Sequence, residues 1–234
     1  MKGNNIIKPS AIVQTQNLCK MFRNGLSEIK AADNVNINLS QGEFSAIVGP
    51  SGSGKTTLLN LIGGLTYPTS GKVLVNGKDI GALKDNELVD FRLHNIGFVF
   101  QSFNLIPVLT VEENISFIME LQGTEKSKRR QRTDELLELI GLKDRAKSHP
   151  STLSGGQKQR VAVARALASK PLFVLADEPT ASLDIKAAGK LLDTMQLLNE
   201  QEHITFLFST HDPRVMERAR RIITIEDGRI IKDE

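Results

Sequence analysis

Nine residues from Gly49 to Thr57, GPSGSGKTT, place four residues between two glycines and follow the second with a lysine and a threonine. That spacing suits a phosphate ester. Gly49, Gly52 and Gly54 let the backbone turn so that successive amides point inward, with Pro50, Ser51 and Ser53 filling the loop and Thr57 following it. Lys55 would set a positive charge on terminal phosphates, and the Thr56 hydroxyl would ligate Mg²⁺. A second stretch, LFVLADE at Leu172 to Glu178, runs an apolar segment into two adjacent carboxylates. Such charges are costly at the end of a buried strand unless a cation or a reaction uses them. Asp177 is expected to hold Mg²⁺ through water, and Glu178 to orient and deprotonate an attacking water. Helix capping by the acidic pair is the structural alternative. Together the two stretches predict hydrolysis of ATP or GTP. A third, LSGGQ at Leu153 to Gln157, is again glycine-rich and opens a predicted helix, which makes it a second anion grip.

A phosphate loop needs a buried strand before it and a helix after it, and the flanking sequence predicts both. Phe44 to Val48 reads as a short buried strand and Lys55 to Ile62 as a helix. Val35, Ile37 and Leu39 alternate with Asn34, Asn36 and Asn38, the pattern of a strand with one wet face. Lys72 to Val75 reads as a strand ended by the turn pair Asn76-Gly77, and Ile96 to Phe100 as another. The middle changes character. Thr110 and Glu113 make a capping-box pattern ahead of a helix to Leu121, Ser127 to Ile140 reads as a second helix, and a third runs from LSGGQ to Ala168. Strands resume at Leu172 to Ala176 and Ile204 to Phe208, with the helix Ile185 to Asn199 between them. The tail RIITIEDGRIIK reads as a hairpin turning on Asp227-Gly228. This order predicts a parallel α/β core with a helical subdomain inserted at residues 102–162.

Composition narrows the class. The 234 residues suffice for one sizeable core, and 40% hydrophobic with 24% charged content is ordinary for a globular chain. A net charge of +3 points only weakly to nucleic acid or an anionic surface. Cys19 is the sole cysteine, so no internal disulfide forms and a reducing compartment fits. The opening MKGNNIIKPS lacks an apolar run of signal-peptide length, Lys2 excludes a myristoylation start, and no run of about 20 apolar residues occurs. Membrane work is therefore expected to need another chain. The basic run Lys126 to Arg132 reads as a solvated helix face, with anionic lipid or a partner as the alternative. Arg214, Arg218, Arg220 and Arg221 are spaced to put three of them near one helical face, again toward solvent. No aromatics interleave with either cluster, so nucleic acid is not expected as a partner. His94, His149 and His203 fit no pattern and read as surface or packing residues.

LSGGQ followed by KQRVAVARAL resembles the ATP-binding subunit of an ATP-binding-cassette (ABC) transporter. The resemblance covers nearly the whole chain, in order. Gln101, after IGFVF, is similar to the family's glutamine loop. Ser182-Leu183-Asp184 resembles its aspartate loop, His211 in FSTHD its switch histidine, and Phe22 in CKMF its adenine-stacking aromatic. The family's fold adds an N-terminal antiparallel β subdomain. In that family two subunits pair head to tail, and each signature loop closes on the ATP held by the other's phosphate loop. The resemblance thus implies that Ser154 and the Gly155 and Gly156 amides act in trans, where a helix N-terminus brings about +0.5 of a charge to the γ-phosphate. It also implies that His211 contacts the γ-phosphate, that Gln101 approaches Mg²⁺ or water while its loop touches a membrane partner, and that Asp184 links the two sites. By themselves, Asp184 reads as a helix cap and Phe22 as a core aromatic on a strand; a phenylalanine here departs from the family's usual tyrosine.

FQSFNLIPVLTVEEN, Phe100 to Asn114, resembles the lipoprotein-release and macrolide-export branch. That implies a membrane permease with a large periplasmic domain, energised by a homodimer on the cytoplasmic face of the inner membrane. Ile115-Ser116-Phe117 departs from the leucine–proline step common there, so lipoproteins, macrolides, peptides and cell-division signalling all stay open. A soluble ABC ATPase of DNA repair or translation is the alternative, but repair types insert a long coiled coil and translation types fuse two cassettes. An ATP-binding module without useful hydrolysis is a third, and Glu178 and His211 speak against it.

Overall fold

The chain is described by a computed structural model covering residues 11–24 and 27–234; the opening segment MKGNNIIKPS lies outside them. Strands Ala11–Asn24 (β1), Ser27–Val35 (β2) and Asn38–Ser40 (β3) come first, β2 and β3 both antiparallel to β1. Phe44–Val48 (β4) is buried throughout and leads through the glycine loop into Lys55–Ile62 (α1). Ser70–Val75 (β5) returns antiparallel to β1, with Lys78–Asp79 (β6) at its edge. Asp85–Asn95 (α2) precedes Ile96–Val99 (β7). Then come three helices, Val111–Leu121 (α3), Lys126–Leu139 (α4) and Gly155–Ala168 (α5). Phe173–Asp177 (β8), Ile185–Glu202 (α6), Thr205–Thr210 (β9) and the four-residue Pro213–Met216 (α7) follow. The hairpin Arg221–Glu226 (β10) and Arg229–Asp233 (β11) comes last.

Two sheets result. One is antiparallel, in the order β2-β1-β5-β6 with β3 beside β1; the other runs β11-β10-β4-β9-β8-β7, parallel from β10 to β7 with β11 antiparallel at its edge. Strand alternation divides the core. Phe44, Ala46, Val174, Ala176, Phe206 and Phe208 face one way and pack with Val111, Ile115, Leu136, Val163 and Leu191 from the helices. Ile47, Phe173, Leu175 and Leu207 face the other, against α1 and the antiparallel sheet. A strand buried on both faces must be apolar at most positions, which is why apolar residues fill β4 apart from Ser45, β8 up to Asp177 and the centre of β9. The three helices after β7 share the first core.

The predicted elements fall within a few residues of the observed ones, with two exceptions. The alternating stretch Asn34 to Leu39 is not one strand. The β1–β2 register shifts around the left-handed Asn34 (φ 56), β2 ends at Val35 and β3 begins only at Asn38, although Val35, Ile37 and Leu39 stay buried. Thr15 replaces the lost ladder bonds, donating to the Val35 carbonyl at 3.0 Å and accepting from the Ile37 amide at 2.8 Å. Nor do the tail arginines share a helical face. Helix α7 begins at Pro213 and ends at Met216, so Arg218 and Arg220 lie in a connection and Arg221 on β10. Arg220 is exposed and the others half-buried, and all four meet protein partners: Arg214 pairs with Asp212, Arg218 with Asp193, Arg220 with the Asn199 amide, and Arg221 with Asp233 and Glu43.

Candidate active site

Strands β4, β8 and β9 end in step, with Val48 opposite Thr210 and Asp177 opposite Ser209. The phosphate loop, the two carboxylates and His211 therefore leave the sheet together, at the carboxyl ends of parallel strands where ligand crevices form. All but Asp177, which lies against Thr56, border one open cleft of about 570 Å³. Gly49, Pro50, Ser51, Gly52, Gly54, Lys55, Thr56 and Thr57 line one side; Gln101, Glu178, Ala181 and His211 line the other, with Ala31 at the rim. Ser53 turns away instead, buried, with its hydroxyl unpartnered.

The loop is held from outside. A Cβ on Gly54 would overlap the Ala31 carbonyl oxygen, and one on Gly49 the Ile225 carbonyl oxygen. Gly52, left-handed at φ 81, has nothing within 4 Å of its Cβ position and leaves its space to the cleft. Lys55 is nearly buried, and its Nζ donates to the Gly49 and Pro50 carbonyls, each at 2.8 Å. An ammonium has three protons, so one remains for an anion above the loop. The cradle fits a chain of phosphates.

Thr56 Oγ1 donates to Asp177 Oδ1 at 3.0 Å, which sets two hard oxygen donors side by side at the foot of α1. Mg²⁺ takes such oxygens and fills its remaining positions with water and phosphate, so the pair fits that ion, with Gln101 on the same cleft. Glu178 is the next residue and is left-handed at φ 44. Its amide donates to the Ser209 carbonyl at 2.8 Å, and one carboxylate oxygen meets His211 Nδ1 at 2.7 Å. Thr210 Oγ1 donates to the other oxygen at 3.2 Å. Thr210 in turn accepts from the Asp212 amide at 3.0 Å. Asp212 is gripped by Arg214, with a further bond from the buried Thr180 hydroxyl at 2.6 Å. Arg214, and then Thr180, hold its carboxyl down at about 2. Sequence reasoning passed over Thr210, Asp212 and Thr180; the only signal for the first two was adjacency to His211.

The signature residues lie elsewhere. Leu153 is buried, and Ser154 caps α5, accepting from the Gln157 amide at 3.3 Å while Gln157 Oε1 accepts from the Ser154 amide at 2.8 Å. None of Leu153 to Gln157 borders the chain's own cleft. Gly156 is tight for packing reasons as well: a Cβ there would stand 2.8 Å from Ala187 Cβ on α6, whereas one on Gly155 would make only ordinary contacts. Asp184 caps α6, accepting from the Ala187 amide at 2.8 Å, and it too lies off the cleft. Phe22 is exposed on β1, with Lys20 Nζ 5.2 Å from its ring centroid; the core-aromatic alternative does not hold.

A family profile described as ABC transporter matches residues 32–181. The ABC transporter ATP-binding protein YvrO of Bacillus subtilis is 46% identical over 218 residues, covering 93% of this chain and 95% of that protein. The macrolide export ATP-binding/permease protein MacB of Brucella melitensis is 41% identical over 222 residues, which is 95% of this chain and 34% of MacB. MJ0796 of Methanocaldococcus jannaschii, an ABC transporter ATP-binding protein, has been solved as a dimer in a post-hydrolysis state bound to ADP and Pi. That structure matches with a TM-score of 0.88 at 43% identity, over 95% of this chain and 97% of that one. Likeness of this degree along nearly the whole length leaves one conclusion: the chain belongs to the ABC transporter family, as an ATP-binding subunit that hydrolyses ATP.

Proposed function

We propose that two copies of this chain pair head to tail, so that each Ser154 turn covers the nucleotide in the other's cleft, and that the pair drives an export permease from the cytoplasmic face of the inner membrane. The observation that carries the reading is the separation within one chain. A 14-residue helix presents an exposed, glycine-rich N-terminus that faces no part of its own phosphate cleft. Dimeric MJ0796 and the macrolide exporter MacB, with its fused permease, support it.

In the cleft, Lys55 and the loop amides bind the phosphates, and Thr56 and Asp177, with Gln101 near, hold Mg²⁺, which neutralises charge on the phosphate oxygens. Glu178 accepts the proton of the attacking water. One of its oxygens meets His211 Nδ1 and the other receives the Thr210 hydroxyl, and each keeps a further lone pair for that proton. Doubly protonated, His211 donates from Nδ1 to Glu178 and from Nε2 to the γ-phosphate. Phe22 offers an exposed face to the adenine. Asp184, which caps α6, links the two sites in the proposed pair.

A permease segment has a seat. Beside the Gln101 loop lies a mainly apolar groove of about 370 Å³, lined by Leu65, Val89, Leu93, Phe98, Phe100 and Ile118. No helix among the described residues is long and apolar enough to cross a membrane, and the proposal gives the span to that partner. A large periplasmic domain on the permease follows from the MacB-like branch. Mixing two crippled chains tests the pairing. Lys55→Ala and Ser154→Arg homodimers should each hydrolyse almost no ATP, whereas a mixed pair concentrates both lesions in one site and leaves the other whole. Activity should return on mixing; a mixture as inert as its parents contradicts the proposal.

A further inference from the structure

Helix α5 does more than present Ser154. Further along it, Gln159 is fully buried (0% exposed) and its Nε2 donates to the Phe100 carbonyl at 3.3 Å. Arg165 donates to the Phe103 carbonyl at 3.1 Å and to the Asn104 carbonyl at 2.6 Å. Three donors from one helix thus hold the backbone on both sides of Gln101. That backbone is not a relaxed turn. Phe103 and Asn104 are consecutive left-handed residues (φ 63 and 49), a conformation that persists only where the surroundings impose it. The Phe103 ring reaches back to the signature turn, its Cζ 3.8 Å from the position of a Cβ on Gly155.

Gln159 is the odd member of this set. Its Oε1 is buried and unpartnered. An unsatisfied buried amide oxygen destabilises a fold, and an apolar side chain of the same length would avoid that loss. Gln159 makes one side-chain bond, and it goes to the residue before Gln101. We propose that Gln159 and Arg165 are positioning residues for Gln101, so that the helix whose N-terminus covers the partner's nucleotide also sets the glutamine in its own cleft. One rigid element then serves both half-sites. This rests on the paired reading above.

The alternative is ordinary stitching of a helix to a loop, and Gln159→Met separates the two. With Mg²⁺ and ATP, the purified Gln159→Met chain should melt at or above the wild-type temperature, bind ATP with unchanged Kd, and turn over about 3- to 10-fold more slowly at saturating ATP. Because its effect passes through Gln101, the Gln101→Ala/Gln159→Met double variant should be no slower than Gln101→Ala alone. An unchanged kcat in Gln159→Met, a Gln101→Ala chain as fast as wild type, or losses that multiply in the double variant overturns the proposal. Ser154→Arg distinguishes its failure from that of the paired reading: full activity in that variant removes the pairing, whatever the Gln101 cycle returns.

Discussion

Glu178 sits at the meeting of two hydrogen-bonded paths, one through His211 and one through Thr210 and the Asp212 amide to the residue whose carboxylate holds Thr180 and Arg214. The acidic anchor of the second chain gives it a pH signature. With its folded pKa near 2, held there first by Arg214, Asp212 stabilises the fold at pH values above the unfolded value of about 3.9 and loses that contribution as the pH falls toward 2. Asp212→Asn should therefore melt about 3–6 °C lower than wild type at pH 7. The gap should close between pH ~4 and ~2; a gap that persists in acid assigns the loss to packing instead. At this scale the motif residues were legible, because phosphate and metal chemistry restricts their types and spacing. Thr210, Gln159 and Arg165 were not: a hydroxyl, an amide and a guanidinium that bond to a neighbour's carboxylate or carbonyl leave no pattern in one sequence.

Elements with a strong local signal were legible too. The Thr110–Glu113 capping box, the Asp227-Gly228 turn and the apolar runs of β4, β8 and β9 all read correctly, since each is fixed by neighbours or by two-sided burial. Helix α2 escaped because Leu88 is its one buried residue, which gives no apolar periodicity. Strand β1 escaped because bulges and the left-handed Asn17 break its alternation. The loop between Gln101 and α3 is likewise fixed by tertiary contact, from Asn114 on α3. Its Nδ2 donates to the Ile106, Leu109 and Thr110 carbonyls at 3.1, 3.0 and 2.9 Å, and its Oδ1 accepts from the Ile106 amide at 2.8 Å. Asn114→Ala strands these groups and should cost about 2–4 kcal/mol in denaturant unfolding, with faster amide exchange at residues 106–110. A loss below about 1 kcal/mol would show that water replaces the side chain at little cost.

Across the whole molecule Gln101 lines the phosphate cleft and the preceding Phe100 lines the apolar groove, so under the proposed docking permease and nucleotide would address one connector. Val89, 53% exposed in that groove, has no packing duty. Val89→Glu should leave melting temperature and ATP affinity untouched yet abolish co-purification with a membrane protein from native membranes; retained co-purification moves the docking site elsewhere. The turn of the tail hairpin carries a different consequence. Gly228 donates its amide to the Ser53 carbonyl and accepts from the Asp33 amide, both at 2.9 Å, wedging the phosphate loop against β2. A stretch with no motif of its own is thus a buttress for the most recognisable one. The segment 32–181, which the family profile matches, would contain the fuel grip without its keystone, and a fragment cut there would keep the letters of the loop and lose its shape.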